Sequence, residues 1–476
     1  MKRQARRLTA VLLAVVLAVL ALPLSVRVIP AAVEELAGGR DAEVRPPALQ
    51  RPPAGVLEPG VVSALSDSAP QPVPEVLAPL LDAELHLPGG GGRFTGVVRD
   101  AATGAVLYSN GPDQAQAPAS NLKLLTAAAV LDTLDPRDRL ETTVHAAGDG
   151  VLYLRGGGDV LLGSGPSETD AVRGHAGLST LAQETAAALD PASGPYSVAV
   201  DDSLFEGPPL NPSWAQGDLD AGELAPVYPL AVNSAWQDEG LQAGARDADP
   251  ALRAAEAFTA ALAAAAAERG IEVLGGPVRA AVPDSAEAVA SVPSATIAEQ
   301  VEHMLVLSDN YLAEALARLA SAASGGPASS DGATALLAAT ADRLGVPGGG
   351  LRVGDAAGLS VDNSATPAQL AALLSAVAAS KRPALAGMPG LLPVAGLSGT
   401  LEERFVPDAA AAGGAGVVRA KTGTLSAVTA LSGYVVTAEG RLLSFSLMGS
   451  GIEGRTQEAR DAVDRAAAVL AACGCR

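Results

Sequence analysis

Ser120 and Lys123 stand three residues apart in the stretch Pro118-Ala-Ser-Asn-Leu-Lys-Leu-Leu-Thr-Ala-Ala-Ala-Val-Leu131. A helix that starts near Ser120 puts the hydroxyl and the amine on one face. A serine beside a lysine, at the positive end of a helix dipole, is a nucleophile with its base at hand. Lysine is scarce in this chain: only Lys2, Lys123, Lys381 and Lys421 occur, and arginine carries the rest of the positive charge. The distinction matters because a lysine amine can be tuned to give up its proton, whereas a guanidinium stays charged. By itself, S-x-x-K is short enough to recur by accident on an ordinary helix.

Two further stretches offer complementary chemistry. Ser308-Asp-Asn310 supplies a hydroxyl that can relay a proton and an amide that both donates and accepts. Taken alone, it also fits a helix N-cap. Arg419-Ala-Lys-Thr-Gly-Thr424 predicts a strand in which Lys421 and Thr422 offer a cation and a hydroxyl to a carboxylate. Gly423 in that strand lets another backbone come close, although a strand end with a glycine bulge has the same pattern. The order S-x-x-K, S-x-N, K-T-G, each in its setting of helix start, loop and strand, is far more specific than any single motif.

These motifs need elements to hold them. The helix after Ser120 is apolar almost all round, which predicts a central, buried position. Strands are expected over residues 94–99 and 105–109, around the turn at Asp100–Gly104. Three more are expected over 417–424, 431–436 and 442–448, before an amphipathic helix over 456–472. Helical patterns cover 250–269, 297–320 with a break at Ser308–Asn310, and 333–344. Two strands before the Ser120 helix and three before the last helix predict one sheet built from both ends of the chain. The expected organisation is a signal peptide or membrane anchor over 1–32 and a Pro-rich linker over 33–79. The catalytic domain then takes 80–144 and 291–476, with inserted subdomains over 145–290.

The leader pairs Lys2, Arg3, Arg6 and Arg7 with an apolar run from Leu8 to Leu24. No clear small-x-small cleavage site follows it, and the run is at the short limit for a span. Either form of this segment places the rest of the chain outside the cytoplasm. A length of 476 residues suffices for two or three domains with full cores. The net charge of −20 argues against a nucleic-acid partner. Cys473 and Cys475 sit at the very end, where they either bridge or stay free, and they cannot staple the body of the fold. The four histidines are scattered, with no H-E-x-x-H and no G-x-S-x-G, so neither a metal nor a histidine triad is expected.

Together the three motifs resemble those of penicillin-binding proteins and class A β-lactamases. The gap from Ser120 to Ser308 is far longer than a simple β-lactamase has. The chain is therefore similar to the D-alanyl-D-alanine carboxypeptidase/endopeptidase family with a large insertion, peptidase family S13, of low-molecular-mass class C type. Gly156–Asp159, Trp214 with Asp218, Asp355–Ser360 and Leu392–Leu401 match the same family. Val160 stands where the family usually has proline, and Ala356 where it usually has glycine.

The resemblance implies an α/β (α+β) fold: a penicillin-binding/β-lactamase-like domain whose antiparallel five-stranded sheet is flanked by helices. It implies a serine carboxypeptidase acting on peptidoglycan stem peptides, with β-lactams as covalent inhibitors and no cofactor. Ser120 is then the nucleophile and Lys123 its base. Ser308 relays the proton, and Asn310 holds the substrate backbone. Lys421 and Thr422 take the terminal carboxylate. The backbone N–H groups of Ser120 and Thr424, beside Gly423, form the oxyanion hole. Asp218 is the acidic residue that the insertion brings to the edge of the cleft, although a solvated loop aspartate fits the same position. Asp355 and Ser360 are expected to hold a turn. The alternatives are a β-lactamase or esterase on the same scaffold, distinguished by rapid penicillin turnover, and a non-catalytic peptidoglycan-binding protein. The intact motifs speak against the latter.

Overall fold

The computed structural model describes residues 68–240 and 242–475. The expected leader and most of the expected linker lie outside them. The first described helix, α1 (Pro74–Glu84), buries Leu77 and Leu81. It takes residues 74–79 out of the expected linker. Pro74 is at the start of the helix, where a missing N–H costs nothing. Pro79 lies inside it and disguised the helical pattern.

β1 (Arg93–Asp100) and β2 (Val106–Asn110) follow. A 3-10 turn, Ala119–Leu122, carries Ser120 into α2 (Lys123–Thr133). Every residue from 123 to 131 of that helix is buried, as its all-round apolar sequence predicts. The middle of the chain comprises β3 (Arg139–Ala146), β4 (Val151–Arg155), α3 (Leu178–Ala188), β5 (Ser197–Asp201), α4 (Gln216–Asp220), α5 (Pro250–Ala267), β6 (Val278–Arg279) and β7 (Glu287–Thr296). Then come α6 (Ile297–Leu307), α7 (Asn310–Ala323), α8 (Ser330–Arg343), α9 (Pro367–Ala378) and α10 (Pro383–Gly387). β8 (Arg419–Leu425), β9 (Val428–Val436), β10 (Leu442–Ser450) and α11 (Thr456–Ala472) complete the fold.

The strands form two five-stranded sheets. The first has the order β2-β1-β10-β9-β8 and is antiparallel throughout. It joins the two ends of the chain, as the strand pattern predicted. β9 is buried along nearly its whole length because both faces are covered. Leu431 and Val435 on one face pack with Val463 and Leu470 of α11. On the other, Ala430 packs with Leu370 of α9, and the Tyr434 hydroxyl donates to the Leu374 carbonyl at 2.6 Å.

The second sheet has the order β6-β5-β4-β3-β7 and is mixed. β4, β5 and β6 pair in parallel, and β3 pairs antiparallel with β4 and β7. Phe258 and Leu262 of α5 and Leu181 of α3 cover Val144, Leu152, Leu154 and Val198. This sheet runs from Arg139 to Thr296, so the expected divisions at 144/145 and 290/291 fall inside β3 and β7. Pro293 in β7 hid that strand, since proline is uncommon inside a ladder.

Cys473 and Cys475 are joined by a disulfide. The Cys475 carbonyl accepts the Val73 N–H at 2.7 Å, which ties the end of the chain to the start of α1. Among the described residues, no helix is long and apolar enough to cross a membrane.

Candidate active site

Ser120 is wedged between a strand and a loop, each of which needs a glycine to come so close. A Cβ on Gly423 of β8 would lie 2.7 Å from the Asn121 Nδ2 and 3.0 Å from the Pro118 carbonyl oxygen. On the other side Gly358 has φ +93°, and a Cβ there would lie 2.1 Å from the Ala119 carbonyl oxygen. The Gly358 loop is organised around the buried carboxylate of Asp355. This accepts the N–H groups of Gly358 at 2.7 Å, Leu359 at 3.0 Å and Ser360 at 2.8 Å, and Asn363 Nδ2 at 2.7 Å. The Trp214 indole N–H donates to the same carboxylate at 3.0 Å. The segment that carries α4 is thereby tied to the loop behind the serine.

Lys123 is fully buried at the start of α2. Its Nζ lies 3.1 Å from the Ser120 Oγ, 2.6 Å from the Asn310 Oδ1 and 2.5 Å from the Ala357 carbonyl oxygen. Asn310 begins α7, and its Nδ2 donates at 3.1 Å to both the carbonyl and the Oε2 of Glu223. Ser308 ends α6 in the left-handed region at φ 61°. Asp309 between them caps α7 by accepting the Leu312 N–H. The S-x-N stretch is thus a helix cap that also aims Ser308 and Asn310 into the cleft. Lys421 of β8 donates to the Ser308 Oγ and to the Thr422 carbonyl, both at 2.9 Å. The Thr422 Oγ1 meets the Thr400 Oγ1 at 2.9 Å.

Burial dominates the electrostatics of both lysines. It lowers the Lys123 amine to about 8, against the opposing pull of Asp355, Asp309, Glu314 and Glu223. Lys421 is driven well below its ordinary range, first by burial and then by Lys123 and Arg404. Glu314 is pushed up to about 7 by burial, with Asp355 adding to the shift. Its Oε1 accepts the Ala356 N–H at 2.6 Å and the Ala357 N–H at 2.9 Å. That hold fixes the carbonyl on which the Lys123 amine rests.

In front of these groups lies a cleft of about 620 Å³. Ser120, Ser308, Asn310, Thr422, Gly423 and Thr424 line it, and Asp218 reaches it from α4. Lys123 and Lys421 sit behind its wall. All nine residues singled out in the sequence are therefore assembled at one place. Glu223, Thr400 and Arg460 also line the cleft and were not singled out. Thr400 lies in the Leu392–Leu401 stretch, which was noticed only as a match. No local pattern marks Glu223 or Arg460.

A model of the D-Ala-D-Ala carboxypeptidase 3 (S13) family matches residues 77–242 and 235–472. The chain belongs to this family. It is a serine-type D-Ala-D-Ala carboxypeptidase. It is 38% identical over 439 residues to carboxypeptidase DacB of Mycolicibacterium smegmatis, covering 91% of each chain. It is 30% identical over 466 residues to a D-alanyl-D-alanine carboxypeptidase of Actinomadura sp., covering 83% of this chain and 84% of that one. Penicillin-binding protein 4 of Haemophilus influenzae shares the fold, with a TM-score of 0.62 at 19% identity. The likeness covers 82% of this chain and 97% of that one.

Proposed function

We propose that this S13 enzyme removes the terminal D-alanine of peptidoglycan stem peptides through an acyl-enzyme on Ser120. The observation that carries this reading is the buried, low-affinity amine of Lys123 within 3.1 Å of the Ser120 Oγ. Lys123 takes the hydroxyl proton as Oγ attacks the penultimate D-alanine carbonyl. The N–H groups of Ser120 and Thr424 hold the developing oxyanion, a contribution of about 3 kcal/mol per donor. The C–N bond breaks, and the leaving nitrogen takes a proton from Ser308. Ser308 is resupplied with the proton that Lys123 took from Ser120, while Lys421 holds the Ser308 Oγ by donating to it at 2.9 Å. Water then hydrolyses the ester along the reverse proton path and restores Ser120. Asn310 holds the substrate backbone.

The same steps at a peptide cross-link would make the enzyme a DD-endopeptidase. The basic-then-apolar leader supports action outside the cytoplasm, on the wall side of the membrane. Incubation with a D-Ala-D-Ala peptide is expected to release free D-alanine, and a penicillin is expected to add its mass to the protein. No D-alanine release, with rapid penicillin turnover and no lasting adduct, would point to the β-lactamase alternative instead.

Asp218 is the group we assign to the free amine of a diamino acid in the stem peptide. It lines the cleft half-buried on α4, tethered through Trp214 to the nucleophile loop. An ion pair walled by a cleft contributes more than an exposed one. Asp218→Asn is expected to lower kcat/KM about tenfold for peptides that bear this amine, the scale of one charge-assisted hydrogen bond. Acylation by a simple penicillin should stay unchanged. Equal losses for both ligands would mean general damage, and no loss for either would leave Asp218 without this role.

A further inference from the structure

The acyl-transfer reading leaves one charge of the substrate without a counter-charge. A peptide ending in D-alanine carries a carboxylate on the carbon next to the scissile nitrogen. So does a penicillin. This anion must enter the cleft, and the two lysines of the motifs are poorly placed to meet it. Lys421 is fully buried, and its amine is already held by Ser308 and the Thr422 carbonyl. Burial, Lys123 and Arg404 all disfavour its charged form. Lys123 is engaged with Ser120, Asn310 and Ala357. Arg404 is closed in a two-pronged, buried pair with Asp464, at 2.9 and 2.5 Å.

Arg460 is different. It rises from α11, which packs on the sheet that contains β8, and it lines the cleft together with Thr422, Thr424 and Ser426. Among the described residues it makes no side-chain hydrogen bond and no ion pair, and its Nε is buried without a partner. Its acidic neighbours are occupied elsewhere. Asp464 holds Arg404, and the Asp461 Oδ1 accepts from the Gln457 Nε2 at 2.7 Å. The carboxylates of the cleft, Asp218 and Glu223, come from a different segment.

We propose that Arg460 binds the substrate carboxylate adjacent to the scissile nitrogen, and so sets the preference for substrates that carry one there. A guanidinium stays charged at every working pH and matches a carboxylate with two parallel N–H donors. The hydroxyls of Thr422 and Thr424 complete the anion site. Lys421 then holds the Ser308 hydroxyl rather than serving as a counter-ion. The inference rests on the Ser120 acyl-enzyme reading and adds a specificity residue to it.

The test compares one penam as the free acid and as its methyl ester. Acylation rates are read by intact-protein mass for the unaltered enzyme, Arg460→Gln and Arg460→Lys. The unaltered enzyme is expected to favour the acid at least about tenfold, the scale of a charge-assisted pair. Arg460→Gln should lose most of that preference by slowing on the acid alone, with the ester rate held. Arg460→Lys should fall between, keeping the charge and losing the fork. A preference for the acid that survives in Arg460→Gln overturns the proposal, as does an equal loss on both compounds. If the unaltered enzyme takes up neither compound, it is the acyl-enzyme reading itself that fails.

Discussion

Replacing Ser120 by alanine is expected to abolish both penicillin labelling and D-alanine release while leaving the fold intact. The Ser120 side chain is half-buried, and its Oγ is held by the Lys123 amine alone among the described residues. Removing it leaves a small gap at the cleft and breaks no structural network. The glycine contacts at Gly423 and Gly358, which hold the turn in place, involve backbone and the side chains of Ala119 and Asn121 rather than the hydroxyl. Among the described residues no other hydroxyl lies in hydrogen-bond contact with the Lys123 amine, so none of them can stand in as nucleophile. Activity should fall on the order of a millionfold, the scale reached when a serine nucleophile is deleted. The melting temperature should stay within a few degrees of the original, as is usual for a change outside the core. A penicillin-sized adduct on the alanine variant, seen by intact-protein mass, would remove Ser120 from the mechanism.

The catalytic half of the molecule was readable because its signals are local. The S-x-x-K turn, the S-x-N break between α6 and α7, and the K-T-G strand each pair a distinctive chemistry with a clear structural setting. The closing helix was placed at its full extent, Thr456–Ala472, because a single amphipathic period runs through it. The sheet uniting both ends of the chain followed from counting strands. What escaped were features set by distant partners. α1 contains two prolines and owes its helical state to burying Leu77 and Leu81 against the body. β7 contains Pro293 and is held by its long pairing with β3. Glu223, which anchors the Asn310 amide, is an ordinary acidic residue on a turn until the fold brings α7 beside it. The same holds for Glu314, whose buried carboxyl fixes the loop under Lys123 from within a helix that reads as plain core. Asp218 carried a weak signal, and the structure places it on the cleft wall.

The second large effect concerns Lys123. Substituting arginine keeps a positive charge but offers no neutral amine at any working pH. Acylation is expected to fall at least about a hundredfold, the usual scale of general-base catalysis. Because the site is fully buried, an arginine there brings a risk of strain, so Lys123→Ala serves as the companion variant that removes the base without adding bulk. The pH profile separates the base role from mere damage. In the free enzyme the amine loses its proton near pH 8, burial outweighing the surrounding Asp355, Asp309, Glu314 and Glu223. Below that pH it is protonated and cannot accept the Ser120 proton. The acylation kcat/KM of the unaltered enzyme should therefore rise about tenfold per pH unit on the acid side and level off above about pH 8. Lys421 is driven below its ordinary range, so it too loses its proton as the pH rises, but its amine faces Ser308 rather than Ser120. In Lys123→Ala the rise toward pH 8 should vanish along with most of the rate. A variant that is slow yet keeps the rise would transfer the base role from Lys123 to another group, with Lys421 acting through Ser308 the next to examine.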